Sequence, residues 1–185
     1  MLQDRLLSVV FLMALLAVAS SACTGGSAGQ EAGYQANALL EDGRVEEALA
    51  AYREGRRQWP AMRIFPYGEG LALYLLNRNE DAEAPLREAI RLVPEAAESH
   101  LYLGYVLSRL NRNDEALAVY QEATRLAPMD GRGWKALGYA HYNARRYTEA
   151  RVALEKYLAF ARKAPDYESV WHLIQTLPSP EQEAN

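Results

Sequence analysis

Cysteine is almost absent. Cys23 is the single thiol in 185 residues, so an internal disulfide is impossible and no cysteine cluster exists to hold a structural zinc. Charge of one sign is not in excess either. Against 24 Asp and Glu stand 20 Lys and Arg, giving a net charge of -4 and a pI near 5.5, which argues against nucleic acid as a partner because no strongly basic surface follows. The three histidines, His100, His141 and His172, form no His-x-x-x-His pair, and neither a nucleophile elbow nor a Gly-rich phosphate loop occurs. These absences leave no footing for catalysis, and no cofactor or metal is expected. What remains is 50% apolar and 24% charged, enough to bury the core of one ordinary domain or of one array of repeats.

The N-terminus is built differently from the rest. Arg5 precedes an apolar run from Leu6 to Ala19, followed by Ser20, Ser21, Ala22 and then Cys23. Such a run is shorter than the roughly 20 residues a spanning helix needs, and over residues 1–22 it reads as a secretory signal peptide. Ser20-Ser21-Ala22-Cys23 resembles a bacterial lipoprotein signal, with Ser20 where that signal usually has Leu. The resemblance implies a diacylglycerol on Cys23, a flexible tether over 23–29, and attachment made stable by two or three acyl chains, since one chain holds only marginally. Thr24, in place of an aspartate after the Cys, implies an outer-membrane lipoprotein facing the periplasm; without lipidation the chain would be soluble in the periplasm or secreted.

A fixed period runs through the remainder. Ala48, Ala82, Ala116 and Ala150 are evenly spaced, and Pro60, Pro94 and Pro128 keep the same interval, as do Gly70, Gly104 and Gly138. Chance agreement of the later Gly and Pro positions is on the order of one in 10⁵ at average usage, so the period is a repeat.

The interval, about 34 residues, and the residue types resemble the tetratricopeptide repeat, W-x2-L-G-x2-Y followed by Ala, an aromatic and Pro. One copy reads Trp134, Leu137, Gly138, His141, Ala150 and Leu154. The copy before it reads His100, Leu103, Gly104, Leu107, Ala116, Tyr120 and Pro128. Upstream, Gly70, Leu73, Ala82, Leu86 and Pro94 keep the frame while Pro66 and Glu69 replace the usual Trp and Leu; Ala36, Leu39, Ala48, Tyr52 and Pro60 mark the first copy.

The resemblance implies an all-α, right-handed α-solenoid over 30–177. Its helix-turn-helix repeats fall at about 29–62, 63–96, 97–130 and 131–167, before a capping helix at 168–177 that carries Trp171, Leu173, Ile174 and Leu177. Residues 178–185 are expected to be disordered. Pro165 lies three residues late, almost one helical turn, so the second helix of the fourth repeat is expected to lengthen to about Lys163. Asn113 is expected as an N-cap, and the pairs Glu46-Glu47 and Asp114-Glu115 as dipole partners at helix starts.

In this family the first helix of each repeat lines a concave groove. Carried over position by position, that stripe holds Ile64, Tyr67, Leu71 and Tyr74, then Leu101, Tyr105, Ser108 and Arg109, then Arg132, Lys135, Tyr139, Tyr142 and Asn143. The i, i+4, i+7 spacing of Tyr67, Leu71 and Tyr74 places them on one helical face, and tyrosine suits binding surfaces. Arg109, Arg132 and Lys135 could take a ligand carboxylate. The two-carboxylate clamp of chaperone-binding members is not matched, with Gly33, Asn37 and Leu71 at its positions.

The expected function is therefore a non-enzymatic adaptor. It would be membrane-anchored through a lipid and bind protein partners of the cell envelope in its groove, in the manner of pilotin-like lipoproteins or of adaptors for peptidoglycan enzymes. The alternative is a structural protein that self-assembles through its convex face or its ends.

Overall fold

The computed structural model describes residues 26–178, which form helices joined by short turns. In chain order they are α1 (26–41), α2 (Val45–Gln58), α3 (Ile64–Leu75), α4 (Asn79–Leu92), α5 (Ala97–Arg109), α6 (Asn113–Leu126), α7 (Gly131–Asn143), α8 (Tyr147–Phe160) and α9 (Tyr167–Thr176). The even helices α2 to α8 each have 14 residues and begin one sequence period apart, so the sequence period is the structural period. The signal segment, Cys23 and the tail beyond residue 178 lie outside the described residues.

The turns explain how the period folds. Gly43, Asn77, Asn111 and Arg145, again one period apart, all have positive φ, between 58° and 75°. At each, the next residue donates back to the carbonyl five before it: Arg44 to Leu39 at 2.8 Å, Arg78 to Leu73 at 2.8 Å, Arg112 to Leu107 at 2.9 Å and Arg146 to His141 at 2.9 Å. This is the Schellman closure, which satisfies the last carbonyls of one helix and aims the chain into the next. The arginine after each closure is the N-cap of the following helix. Arg44, Arg78 and Arg112 reach forward three residues to Glu47, Asp81 and Glu115, each at 2.6 Å. Asn113 is accordingly the first helical residue and not the cap expected for it; no side chain caps α6. The acidic first turns expected at Glu46-Glu47 and Asp114-Glu115 are present.

Small residues set the approach of paired helices. The Ala48, Ala82, Ala116 and Ala150 series is fully buried. A Cβ at Gly70, Gly104 or Gly138 would stand 2.5 Å from Leu86, 2.3 Å from the Tyr120 ring or 2.6 Å from Leu154, so any larger residue would force the facing side chain to shift. Glu69, in the position occupied by buried Leu103 and Leu137, is itself buried. It survives there because Arg53 and Arg56 of α2 donate to it at 3.0 and 2.8 Å, and Arg56 also bridges to Glu88 of α4.

Two expectations fail for stated reasons. Gly26 to Gly29 belong to α1, not to a flexible tether; Gly29 is buried so closely against Trp59 and Met62 that a Cβ there would meet Met62 Sδ at 2.5 Å. The three extra residues of the fourth repeat do not lengthen α8, which stops at Phe160 in phase with its counterparts. They enter the turn 161–166, where Ala164 N–H donates to Ala161 O and Asp166 meets the Tyr157 hydroxyl. Beyond it α9 packs on α8 through Val170 and Ile174, next to Leu154 and Tyr157, while Trp171 is 43% exposed. Arg151 holds the far end of α9 by donating to Ile174 O at 2.8 Å and Leu177 O at 3.0 Å.

Among α2 to α9, helices adjacent in sequence pack together, and the further contacts join α3 to α5 and α5 to α7. The odd helices thus form the inner layer of the stack, and their outer stripe faces the groove.

Candidate binding groove

Tyrosines from α3, α5 and α6 run into one another along this inner layer. The Tyr67 ring meets Tyr102 edge-on at 6.0 Å, Tyr102 meets Tyr74 at 5.8 Å and Tyr105 at 5.6 Å, Tyr74 stacks on Tyr105 at 5.9 Å, and Tyr105 meets Tyr120 at 5.8 Å. Each such pair contributes about 0.5–1.5 kcal/mol beyond area burial. Burial pushes the phenols of Tyr67, Tyr102 and Tyr120 up, and that of Tyr105 up to about 12, because a phenolate would be poorly solvated there. All four therefore stay protonated near neutral pH and can donate. The Tyr120 hydroxyl lies 3.2 Å from Ser108 Oγ.

Two clefts open along this wall. One, of about 520 Å³, is bordered by Tyr105, Ser108, Asn111, Lys135, Tyr139 and Asn143. The other, of about 300 Å³, lies between Asn37, Leu40 and Glu41 of α1 and Leu71, Leu75 and Tyr102. Tyr105, Ser108, Arg132, Lys135, Tyr139, Asn143 and Leu71 of the expected stripe therefore border a cleft. Tyr67 and Tyr74 stand half-buried in the tyrosine network.

Leu101 is the clear exception. It is 2% exposed in the core and offers no surface to a ligand, so its assignment to the groove is corrected. Its neighbour Tyr102 takes the groove position, one residue or about 100° further round the helix. The repeat frame held a signal for it: the counterparts of Tyr102 are Gly68 and Ala136, and a large ring fits there only by leaning out. Tyr142, 38% exposed, turns to Tyr147 at 6.0 Å rather than to the cleft.

The three basic residues are all engaged within the chain. Arg132 donates to Asp130 at 2.7 Å and Lys135 to Asp166 at 2.6 Å; hydrogen bonds from Arg132 and Lys135 hold these two carboxyls below the usual carboxylate range. Arg109 has neutral partners, Tyr74 O at 3.1 Å and Asn77 Oδ1 at 2.9 Å, and its guanidinium lies 3.9 Å from the centre of the Tyr74 ring.

His100 and His141 are packed into the fold, while His172 is exposed beside the Trp171 ring. His100 Nε2 donates to Pro94 O at 2.8 Å, as Trp134 Nε1 does to Pro128 O at 2.8 Å one repeat later. His141 is buried, and the resulting desolvation lowers its pKa. Among the described residues no three His, Cys, Asp or Glu side chains are placed to hold a metal, and no helix is long and apolar enough to cross a membrane.

Comparison with known proteins fits this geometry. The tetratricopeptide-repeat family profile matches residues 35–97, 67–130 and 101–168. Among solved structures, PilF of Pseudomonas aeruginosa superposes with a TM-score of 0.72 at 18% identity, over 82% of this chain and 71% of that one. TTC0263, a tetratricopeptide repeat protein of Thermus thermophilus, gives 0.69 at 24% identity over 80% and 82%. YrrB, described as having an unusual peptide-binding site, gives 0.62 at 22% identity over 76% and 74%. At these identities the likeness is one of fold. No curated protein matches the sequence. With the profile spanning most of the chain and the helices in phase with it, the protein belongs to the tetratricopeptide repeat family.

Proposed function

We propose that the protein is an exported, lipid-anchored adaptor of a bacterial envelope that captures a segment of a partner protein in its groove and supports assembly of an envelope complex, of the pilus-secretin or peptidoglycan-enzyme type. The observation that carries the binding role is the continuous tyrosine wall with a cleft on either side of the Tyr102–Tyr105 pair. Rigid rings with polar tips bind at low entropic cost, and the family fold is typically non-catalytic. The anchor rests on the sequence at Cys23, and by confining the groove to a membrane surface it would raise the effective concentration of an envelope partner.

The test is capture of envelope proteins on wild-type protein and on the Tyr105→Ala/Tyr139→Ala variant, with helical content checked by circular dichroism. Loss of a specific partner from the variant supports groove capture; equal capture overturns it. In the same cells Cys23→Ser should move the protein from the membrane to the soluble fraction, and an unchanged distribution would contradict the anchor. The self-assembly alternative has one observation in its favour, the exposure of Val152, Phe160 and Trp171 near the C-terminal end; it predicts that changes there, not in the groove, alter oligomeric state.

A further inference from the structure

Resting on that groove reading, we propose that the captured segment is extended and bipartite. An aliphatic side chain enters the cleft between α1 and α3, and an acidic one, about five to six residues away along the segment, enters the cleft between α5 and α7. The two clefts differ in chemistry. Leu40, Leu71 and Leu75 line the smaller with Tyr102, and Leu75 is 49% exposed, apolar surface that an aliphatic side chain would take out of water. Arg132 and Lys135 border the larger, together with the amides of Asn111, Asn113 and Asn143, and among the described residues no Asp or Glu borders it.

The two cations keep donors for such a ligand. Arg132 spends Nε and Nη2 on Asp130, and Lys135 spends one N–H on Asp166. Nη1 of the guanidinium and the other ammonium hydrogens are left, so a ligand carboxylate adds to these pairs without breaking them. Glu41 borders the smaller cleft and repels an acidic side chain from it, which fixes the direction of the segment. Between the clefts the rings of Tyr74, Tyr102 and Tyr105 close on one another, and Arg109 covers Tyr74; they make a packed floor that the segment crosses. The spacing follows from the stack. The clefts lie two inner-helix steps apart, each about 8–10 Å, and an extended chain advances about 3.3 Å per residue.

The experiment is fluorescence polarisation of the full-length protein with labelled peptides. The parent peptide carries a leucine pair, a Ser/Gly spacer of about five residues and a glutamate pair. In one control glutamine replaces glutamate, in another serine replaces leucine, and in the last the spacer is cut to about one residue. The parent is expected to bind at least about tenfold more tightly than each control. Its Kd should rise at least about threefold from low to high salt, and that of the glutamine control should not. Leu75→Ser, at an exposed position, should weaken the parent about three- to tenfold and leave the serine control unchanged. Lys135→Ala should do the same to the parent and spare the glutamine control, with helical content of both variants checked by circular dichroism.

Equal affinity for the parent and any one control, or parent binding unchanged in folded Leu75→Ser or Lys135→Ala, overturns the inference while groove capture stands. Failure of every peptide to bind also overturns it, and groove capture is then judged separately by the envelope-protein assay. Parent binding unchanged in the Tyr105→Ala/Tyr139→Ala variant overturns both.

Discussion

At the residue scale the repeat is a set of backbone and volume requirements, and its members meet them unequally. The left-handed turn position is filled by Gly43, by Asn77 and Asn111, which tolerate it, and by Arg145, which pays a steric penalty for its Cβ. Arg145→Gly should therefore raise stability by up to about 1 kcal/mol. Gly104→Ala should do the reverse. Alanine is the better helix former, yet its Cβ would sit 2.3 Å from the Tyr120 ring, and overpacking costs about 1–3 kcal/mol. Chemical denaturation of both variants checks the pair: opposite signs are expected, and a stabilising Gly104→Ala would show that the crossing has slack. The alanine, glycine and proline series were legible in the sequence because each answers a local demand that returns once per repeat. Tyr102 was harder to read, because whether a ring leans into the core or the groove depends on a rotation of one residue, and Leu101 beside it is equally apolar.

At the element scale the even helices keep one length while variation is absorbed by turns and ends. The insertion before Pro165 was legible, but its destination was not, since a helical turn and a wider loop take up three residues equally well. The loop wins because it delivers Asp166 to both Lys135 of α7 and the Tyr157 hydroxyl of α8. The Lys135 contact joins positions far apart in the chain, which local patterning does not show. Lys135 holds the Asp166 carboxyl below its ordinary value, and the Tyr157 hydroxyl adds to this. The contact thus stabilises the native state above the unfolded aspartate value, near 3.9, and is lost as pH falls through the depressed native one. Exchange protection at Val170 and Ile174 should accordingly fall modestly below about pH 4, and should be slightly reduced already at neutral pH in Asp166→Asn. Wild-type protection in that variant would mean that α9 is held by Arg151 and the apolar contacts alone.

At the scale of the whole molecule, stacking leaves the two faces chemically unlike. The outer helices carry paired ions such as Arg87–Glu83 and Arg112–Glu83, at 2.9 and 2.6 Å, which are exposed and contribute little net energy. The inner layer concentrates tyrosine, asparagine and the clefts. The all-α solenoid was readable from the repeat period together with the family resemblance it carries. The state of the groove cations was not, because their partners Asp130 and Asp166 come from turns whose geometry the repeat pattern leaves open.

Central to the functional reading is that the partner lies on the inner face. The most direct measurement is photo-crosslinking in intact cells with a benzoylphenylalanine placed at Tyr139, in the groove, or at Val152, exposed on α8. Groove capture predicts a discrete adduct with one envelope protein from position 139 and none from 152. Adducts from 152 alone, or between two copies of this chain from that position, would contradict groove capture and favour the self-assembling alternative.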